Sequence, residues 1–316
     1  MMQTPICELL GITCPVFQGG MAWIADGRLA AAVSNAGGLG IISAMNADAA
    51  YVREQIQIAR SLTDKPFGVN IMLMSPFAEE CAQVCVAEKP AVVTTGAGSA
   101  AKYIPLWKEA GIKVIPVIAS ASMAKQAEKA GADAVIAEGQ ESGGHIGELT
   151  TMALVPQVVD AVNIPVLAAG GIGDGRGIAA AMMLGAVGVQ MGTRFLVAKE
   201  CGVHQNYKDM VLKAKDISTQ VTGRRFGGNI CRGIKNNFTR NFTKIEFAPE
   251  TTPDSIADLG AGSLRKAAVD GDVKEGSVLA GQIAGLVTKE QTCVEIISEI
   301  MQEAEICLKG AAAWVK

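Results

Sequence analysis

The stretch IPVLAAGGIGDGRGIAAAMMLGAVGVQMGTRF, residues 164–195, decides the fold. It opens on a short apolar run, IPVLAAGG (164–171), that ends in two glycines. GRGIAAAMMLG (175–185) follows, with helical character and a closing Gly185 where a helix needs a left-handed cap. A second apolar run, VGVQMGT (187–193), comes next. Strand, helix, strand at this spacing is a βαβ unit, the connection that parallel strands require.

Outward from this unit the same pattern recurs. Further strands are predicted at PVFQGG (15–20), GLGIIS (38–43), FGVNIML (67–73), AVVTTGAG (91–98), KVIPVIA (113–119) and DAVIAEG (133–139), making eight in all. Helical segments lie between them, among them DGRLAAAVSNAG (26–37), AAYVREQIQIARSL (49–62) and SMAKQAEKAG (122–131). Strict alternation predicts an α/β protein with a parallel sheet, and eight units point to a closed (β/α)8 TIM barrel. A doubly wound open sheet is the alternative.

The alternation breaks after Phe195. Residues 200–288 are more polar and irregular and read as an inserted, mostly helical cap or substrate domain. KEQTCVEIISEIMQEAEICLK (289–309) restores the apolar period and reads as the eighth barrel helix. The barrel would then comprise residues 1–199 and 289–316.

Composition narrows the function. Of 316 residues, 49% are hydrophobic and only 4% aromatic, which suits strands buried on both faces. The net charge of −3 gives no global sign of nucleic-acid or membrane binding. The N-terminus has no basic region before its apolar residues, and no apolar run reaches the roughly 18 residues of a membrane span. Eight cysteines without a CxxC pair read as reduced thiols of a cytoplasmic protein. Two distant histidines and no HxxxH argue against a metal site, and no GxSxG nucleophile elbow is present.

In a barrel, chemistry belongs at the C-terminal strand ends. These read QGGMA (18–22), NIML (70–73), TTGAG (94–98), EGQESGGH (138–145), AAGGIGDG (168–175) and QMGTRF (190–195). Recurrent glycine suggests backbone close to a flat or phosphorylated ligand. Gly170 and Gly171 before the helix near Gly175, with Gly192 and Thr193 after strand eight, predict a phosphate site. GAGSAA (96–101) imitates a dinucleotide fingerprint, but the next strand ends without the acidic residue that a ribose needs. Flavin mononucleotide fits better, with Asn70 and Glu138 placed for its ring or polyol. His145, one of two histidines, follows paired glycines at a strand end and can exchange a proton near neutral pH. His204 lies in the polar insertion and is the weaker candidate. Between Lys213 and Lys244, eight basic residues face one acid, Asp216. That block is either a solvated face or a landing surface for an anionic partner.

With these residues in view, the chain resembles the nitronate monooxygenase (2-nitropropane dioxygenase-like) family, and within it the flavin-dependent enoyl-[acyl-carrier-protein] reductases. The likeness is carried by PVFQGGMAW (15–23), SNAGGLGII (34–42), DKPFGVNIML (64–73), VVTTGAG (92–98), ADAVIAEGQESGGHIG (132–147), AAGGIGDGRG (168–177), QMGTRFLVAKE (190–200) and DGDVKEGSVLAGQIAGLV (270–287). It implies flavin (FMN) contacts from Met21, Ala22, Asn70, Glu138 and Gly143. It implies phosphate contacts from Gly171, Gln190, Met191, Gly192 and Thr193, and His145 as the catalytic residue. It further implies reduction of trans-2-enoyl thioesters borne by acyl carrier protein, with NADH or NADPH as reductant, in a homodimer serving fatty acid biosynthesis. Oxidation of alkyl nitronates with O2 is the alternative. Nitronate-oxidising members commonly carry Gln where Glu138 stands, and Ser142 replaces a frequent Ala.

Overall fold

The structure is a computed structural model that describes residues 2–44, 47–227 and 230–314. Eight parallel strands form one sheet: β1 (Val16–Gln18), β2 (Gly40–Ser43), β3 (Phe67–Met72), β4 (Val92–Gly96), β5 (Lys113–Ile118), β6 (Val135–Glu138), β8 (Val166–Ala169) and β9 (Gly188–Met191). The two-residue β7 (Gly144–His145) lies outside it. The order is β1-β9-β8-β6-β5-β4-β3-β2. Phe17 bridges Leu39 in parallel, where Gln18 N–H donates to the Leu39 carbonyl and Leu39 N–H to that of Val16, each at 2.9 Å. These bonds bring the two sheet edges together, and the fold is the (β/α)8 barrel rather than the open sheet.

The barrel interior is a packed core. Phe17, Leu39, Ile41, Val92, Ile115, Ile136 and Leu167 fill it, with Ile6 and Leu10 of the helix Pro5–Leu10. The Thr4 hydroxyl donates to the carbonyl of Val187, just ahead of β9, so this helix sits at the N-terminal end of the strands. That leaves the opposite end open.

The outer helices form where capping chemistry allows them. Asp26 accepts the Leu29 N–H at the start of Gly27–Asn35, Asp48 that of Tyr51 before Ala49–Leu62, and Ser120 that of Met123 before Ala121–Ala130. Gly131 ends the last of these in the left-handed conformation. Thr292 and Glu295 form a capping box that starts Cys293–Ala311. This long helix packs against Gly27–Asn35 and Gly175–Met183, closing the helical ring.

Regular structure between 200 and 288 is chiefly helical: Gln205–Leu212, Asn237–Glu246, Pro253–Gly260 and Ser263–Ala268. The segment also holds a strand pair that periodicity did not disclose, β10 (Thr219–Thr222) with β11 (Cys231–Ile234). β11 continues the sheet onto β7, so Cys231 stands opposite His145 and Arg232 opposite Gly144. The Asn236 and Thr252 capping boxes fix the helices that follow. Phe238, Phe242 and Ile256 form their small buried core, so these phenylalanines are packing residues. Among the described residues no helix is long and apolar enough to cross a membrane.

Candidate active site

A cavity of about 660 Å³ opens at the C-terminal ends of the strands, within the range of small-molecule sites. Every residue expected at the site lines it: His145, Met21, Ala22, Asn70, Glu138, Gly143, Gly171 and Gln190 through Thr193. These side chains come from β1, β3, β6, β8 and β9 and the loops leaving them. Parallel strands in one barrel deliver all their C-terminal ends to one face, which explains the convergence.

At the floor, the Thr94 hydroxyl donates to Asn70 Oδ1 at 2.9 Å and fixes the carboxamide. A Cβ on Gly20 would lie 2.5 Å from that of Asn70, and one on Gly19 would press on Gln190 at 3.0 Å. The two glycines of β1's exit therefore make room for two polar side chains. Glu138 closes β6 and receives the Ser142 hydroxyl at 2.9 Å on one oxygen. Burial pushes its carboxyl up to about 7, and the serine bond only partly offsets this.

His145 was expected in a loop leaving strand six. It instead sits on β7, held against β11 by the pairing with Cys231 and by the Ile146 N–H, which donates to the Ile230 carbonyl at 3.0 Å. Its side chain is exposed at the cavity wall. Arg232, buried behind it, donates from Nε to the Gln140 carbonyl at 3.2 Å and from Nη1 to the Thr219 hydroxyl at 3.4 Å. The imidazole is thus mounted on a small sheet drawn from two distant parts of the chain.

Two sequence expectations are corrected by the geometry. The first concerns phosphate binding by the helix Gly175–Met183. Its first N–H groups are already taken: Gly175 donates to Glu303 at 3.0 Å, and Arg176 and Gly177 donate to Asp174. Carboxylates occupy the anion-favouring end of this helix. The bare backbone at the cavity belongs instead to Gly170–Gly171, both with positive φ, and to Gly192–Thr193. Thr193 accepts the Gly281 N–H at 2.9 Å and retains a hydroxyl proton to donate.

The second concerns the glycines. At several strand ends the missing side chain admits protein rather than ligand. A Cβ on Gly143 would meet Ala280 backbone at 2.6 Å, one on Gly170 the Gly139 carbonyl at 2.5 Å, and one on Gly171 the Glu141 carboxylate. At Gly192 the nearest atom is Met21 Sδ at 3.6 Å, and at Gly96 nothing lies within 4 Å. There, and at Gly144, where Leu279 Cδ1 lies 3.9 Å away, the absent side chain leaves open space.

Glu141, unconvincing as a catalytic carboxylate paired with Glu138 on sequence grounds, has a structural role. Its Oε1 accepts the Thr151 N–H at 2.7 Å and caps the start of Thr151–Val159, while its backbone carbonyl accepts the Gln282 N–H at 2.9 Å. Sequence reasoning overlooked Tyr207, whose hydroxyl donates to the Leu279 carbonyl at 2.7 Å under the cap wall. Neither carries a local signal: Tyr207 bonds to a residue remote in the chain, and Glu141 reaches across a loop to Thr151 and to the distant Gln282. His204 is accounted for structurally: its Nδ1 accepts the Asn206 N–H at 3.1 Å and caps Gln205–Leu212. The basic block is partly consumed within the protein. Arg225 donates to the carbonyl of Glu246, Lys235 to that of Ile217, and Arg232 is buried.

A flavin fits this cavity on its own terms. The open backbone at Gly192, the paired positive-φ glycines and the half-buried Glu138 carboxylate suit a phosphate and a polyol. The comparisons agree. The profile of the family described as nitronate monooxygenase matches residues 3–86 and 76–303. The structure of FabK from Thermotoga maritima superposes with a TM-score of 0.97 at 48% identity, covering all of both chains. Nitroalkane oxidase from Streptomyces ansochromogenes superposes with a TM-score of 0.86 at 28% identity, covering 97% of this chain and 99% of the other. A probable nitronate monooxygenase from Staphylococcus aureus is 33% identical over 94% of this chain and 98% of its own length. A 5-hydroxy-7a-methyl-1-oxo-octahydroindene-4-carboxyl-CoA dehydrogenase from Mycobacterium tuberculosis is 35% identical over all of this chain and 99% of its own length. Fold, cavity and relatives together define a flavin-dependent oxidoreductase. The chain belongs to the nitronate monooxygenase family.

Proposed function

We propose that this enzyme is an FMN-dependent, NAD(P)H-consuming reductase of trans-2-enoyl thioesters carried on acyl carrier protein, as used in fatty acid biosynthesis. The full-length likeness to FabK at 48% identity carries this reading. A relative named for a carboxyl-CoA substrate supports a thioester, and the family resemblance, in which nitronate-oxidising members are expected to carry Gln at this place, makes Glu138 favour the same reading. On this reading residues 1–199 and 289–316 form the flavin barrel, and residues 200–288 cap its substrate side.

When bound, the flavin supplies the hydride chemistry. The protein binds and orients. Backbone N–H groups of Gly171, Gly192 and Thr193 would hold the phosphate, with Gln190 and Met191 beside them in the cavity lining. Glu138 would accept hydrogen bonds from polyol hydroxyls, Asn70 would offer its fixed amide, and Met21, Ala22 and Gly143 would border the ring. His145 faces the substrate. It donates to the thioester oxygen as negative charge develops there, or gives the α-carbon its proton directly or through water. The β7–β11 pairing fixes the backbone from which the imidazole projects. We place the enzyme in the cytoplasm as a homodimer.

The test is a spectrophotometric assay of flavin-loaded protein with crotonyl thioester. NAD(P)H oxidation must run faster with the enoyl thioester than without it, and equal rates would reject the reading. The second reading is oxidation of alkyl nitronates with O2, favoured by the relatives named for nitronates and nitroalkanes. It requires nitrite release from a nitronate without added NAD(P)H.

A further inference from the structure

Beside the main cavity lies a second, smaller one of about 100 Å³. It sits between the 98–101 loop and the helix Ala121–Ala130, and its walls include Ala100, Ile104, Pro116 and Ala127. At roughly 10–15 Å³ for each water-sized group, it holds a short run of methylenes. Gly98, Ile118 and Met123 line both cavities and so stand between them.

Met123 is the movable member of that partition. Its backbone is pinned, since its N–H donates to the Ser120 hydroxyl at 3.2 Å in the first turn of the helix. Its side chain is unbranched, with three rotatable bonds, and can take several shapes at little cost. Ile118 is β-branched and sits in β5, and Gly98 has no side chain to move. The partition also lies close to the proposed catalytic residue. Gly147, two residues past His145, packs so near Ala119 that a Cβ there would lie 2.7 Å from the alanine methyl. Ala119 and Ile118 then lead along the wall to Met123.

We propose that the side pocket receives the tail of a medium or long acyl chain, with Met123 as the gate that decides chain length. This rests on the enoyl-thioester reading above. A chain whose reacting carbons lie at His145 runs along Gly147, Ala119 and Ile118. A four-carbon chain ends before the gate, and a longer one displaces the Met123 side chain and enters.

The experiment compares flavin-loaded wild type with Met123→Ala, which opens the gate, and Ala127→Met, which fills the pocket from behind. Two quantities are read: the ratio of kcat/KM for dodecenoyl over crotonyl thioester, and the calorimetric Kd of dodecanoyl and butyryl thioesters, which need no turnover. Met123→Ala should raise the long-to-short ratio at least fivefold. Ala127→Met should lower it at least tenfold and weaken dodecanoyl binding more than butyryl. Ratios within twofold of wild type in both variants overturn the gate, provided wild type turns over crotonyl thioester. Failure of wild type to reduce any enoyl thioester rejects the functional reading instead. Should one variant fail to fold, shown by lost flavin absorbance, the other decides alone.

Discussion

Cys231 stands directly across an antiparallel strand pair from His145, although the two lie far apart in the chain. The proposed proton-handling group is therefore positioned by a strand that enters from elsewhere in the chain. Arg232, next along that strand, ties it to the Gln140 carbonyl and to Thr219.

Replacing Arg232 by Met keeps most of the buried volume and removes both bonds. Hydrogen bonds to charged groups contribute about 1.5–3 kcal/mol, so a stability loss of about 1–3 kcal/mol is expected in denaturant titration. With His145 less well held, kcat should fall roughly tenfold while KM changes little, because the loss acts on positioning. A fall in KM affinity with unchanged kcat would contradict this role.

His145→Ala removes the imidazole from an exposed position on the cavity wall. General acid catalysis contributes about 10²- to 10⁴-fold, and turnover of crotonyl thioester should fall by that factor. The flavin absorbance spectrum should persist, since the phosphate and polyol contacts are assigned elsewhere. Undiminished turnover would return His145 to a structural role.

Glu138 titrates near 7 in the folded protein against an ordinary value of 4.5, because burial disfavours its charge. The folded state then binds more protons than the unfolded state between these values. Stability contributed by this group is present below about pH 4.5 and is lost as pH rises toward 7. Glu138→Gln should flatten that slope in flavin-free protein and raise stability at pH 8 by about 1–3 kcal/mol. Thermal unfolding of both proteins from pH 5 to 8 measures it, and parallel profiles would refute it.

Gly143 and Gly192 make opposite predictions. A Cβ at Gly143 strikes the Ala280 backbone at 2.6 Å, and backbone cannot move aside cheaply. Gly143→Ala should lose about 1–3 kcal/mol of stability, the usual cost of overpacking. At Gly192 the nearest atom is Met21 Sδ at 3.6 Å, and φ is −108°, which any residue adopts. Gly192→Ala should keep its melting temperature without cofactor yet bind FMN at least tenfold more weakly, because its methyl enters the cavity. Equal FMN affinity would remove Gly192 from the proposed cradle.

The residues 164–195 alone determine that a parallel unit forms, because apolar runs parted by a helical segment leave few other arrangements. Recurrence of that unit predicts a parallel sheet of eight strands, which the Phe17–Leu39 bridge closes into a barrel, and barrel topology determines which end bears the site, so Asn70, Glu138 and Gln190 are legible as neighbours from the sequence. The caps at Asp26, Ser120 and Thr292 each take an N–H only three residues further along the chain. What only tertiary structure decided depends on partners remote in the chain. β10 and β11 are short and mixed in character, and pairing with β7 supplies what their own periodicity lacks. The purpose of Gly143, Gly170 and Gly171 could not be read locally, because a glycine shows only that space is needed and not whether protein or ligand occupies it. The helix at Gly175 illustrates the same limit: its sequence suits an anion, but Glu303 arrives from the last helix and takes the place a phosphate would have filled.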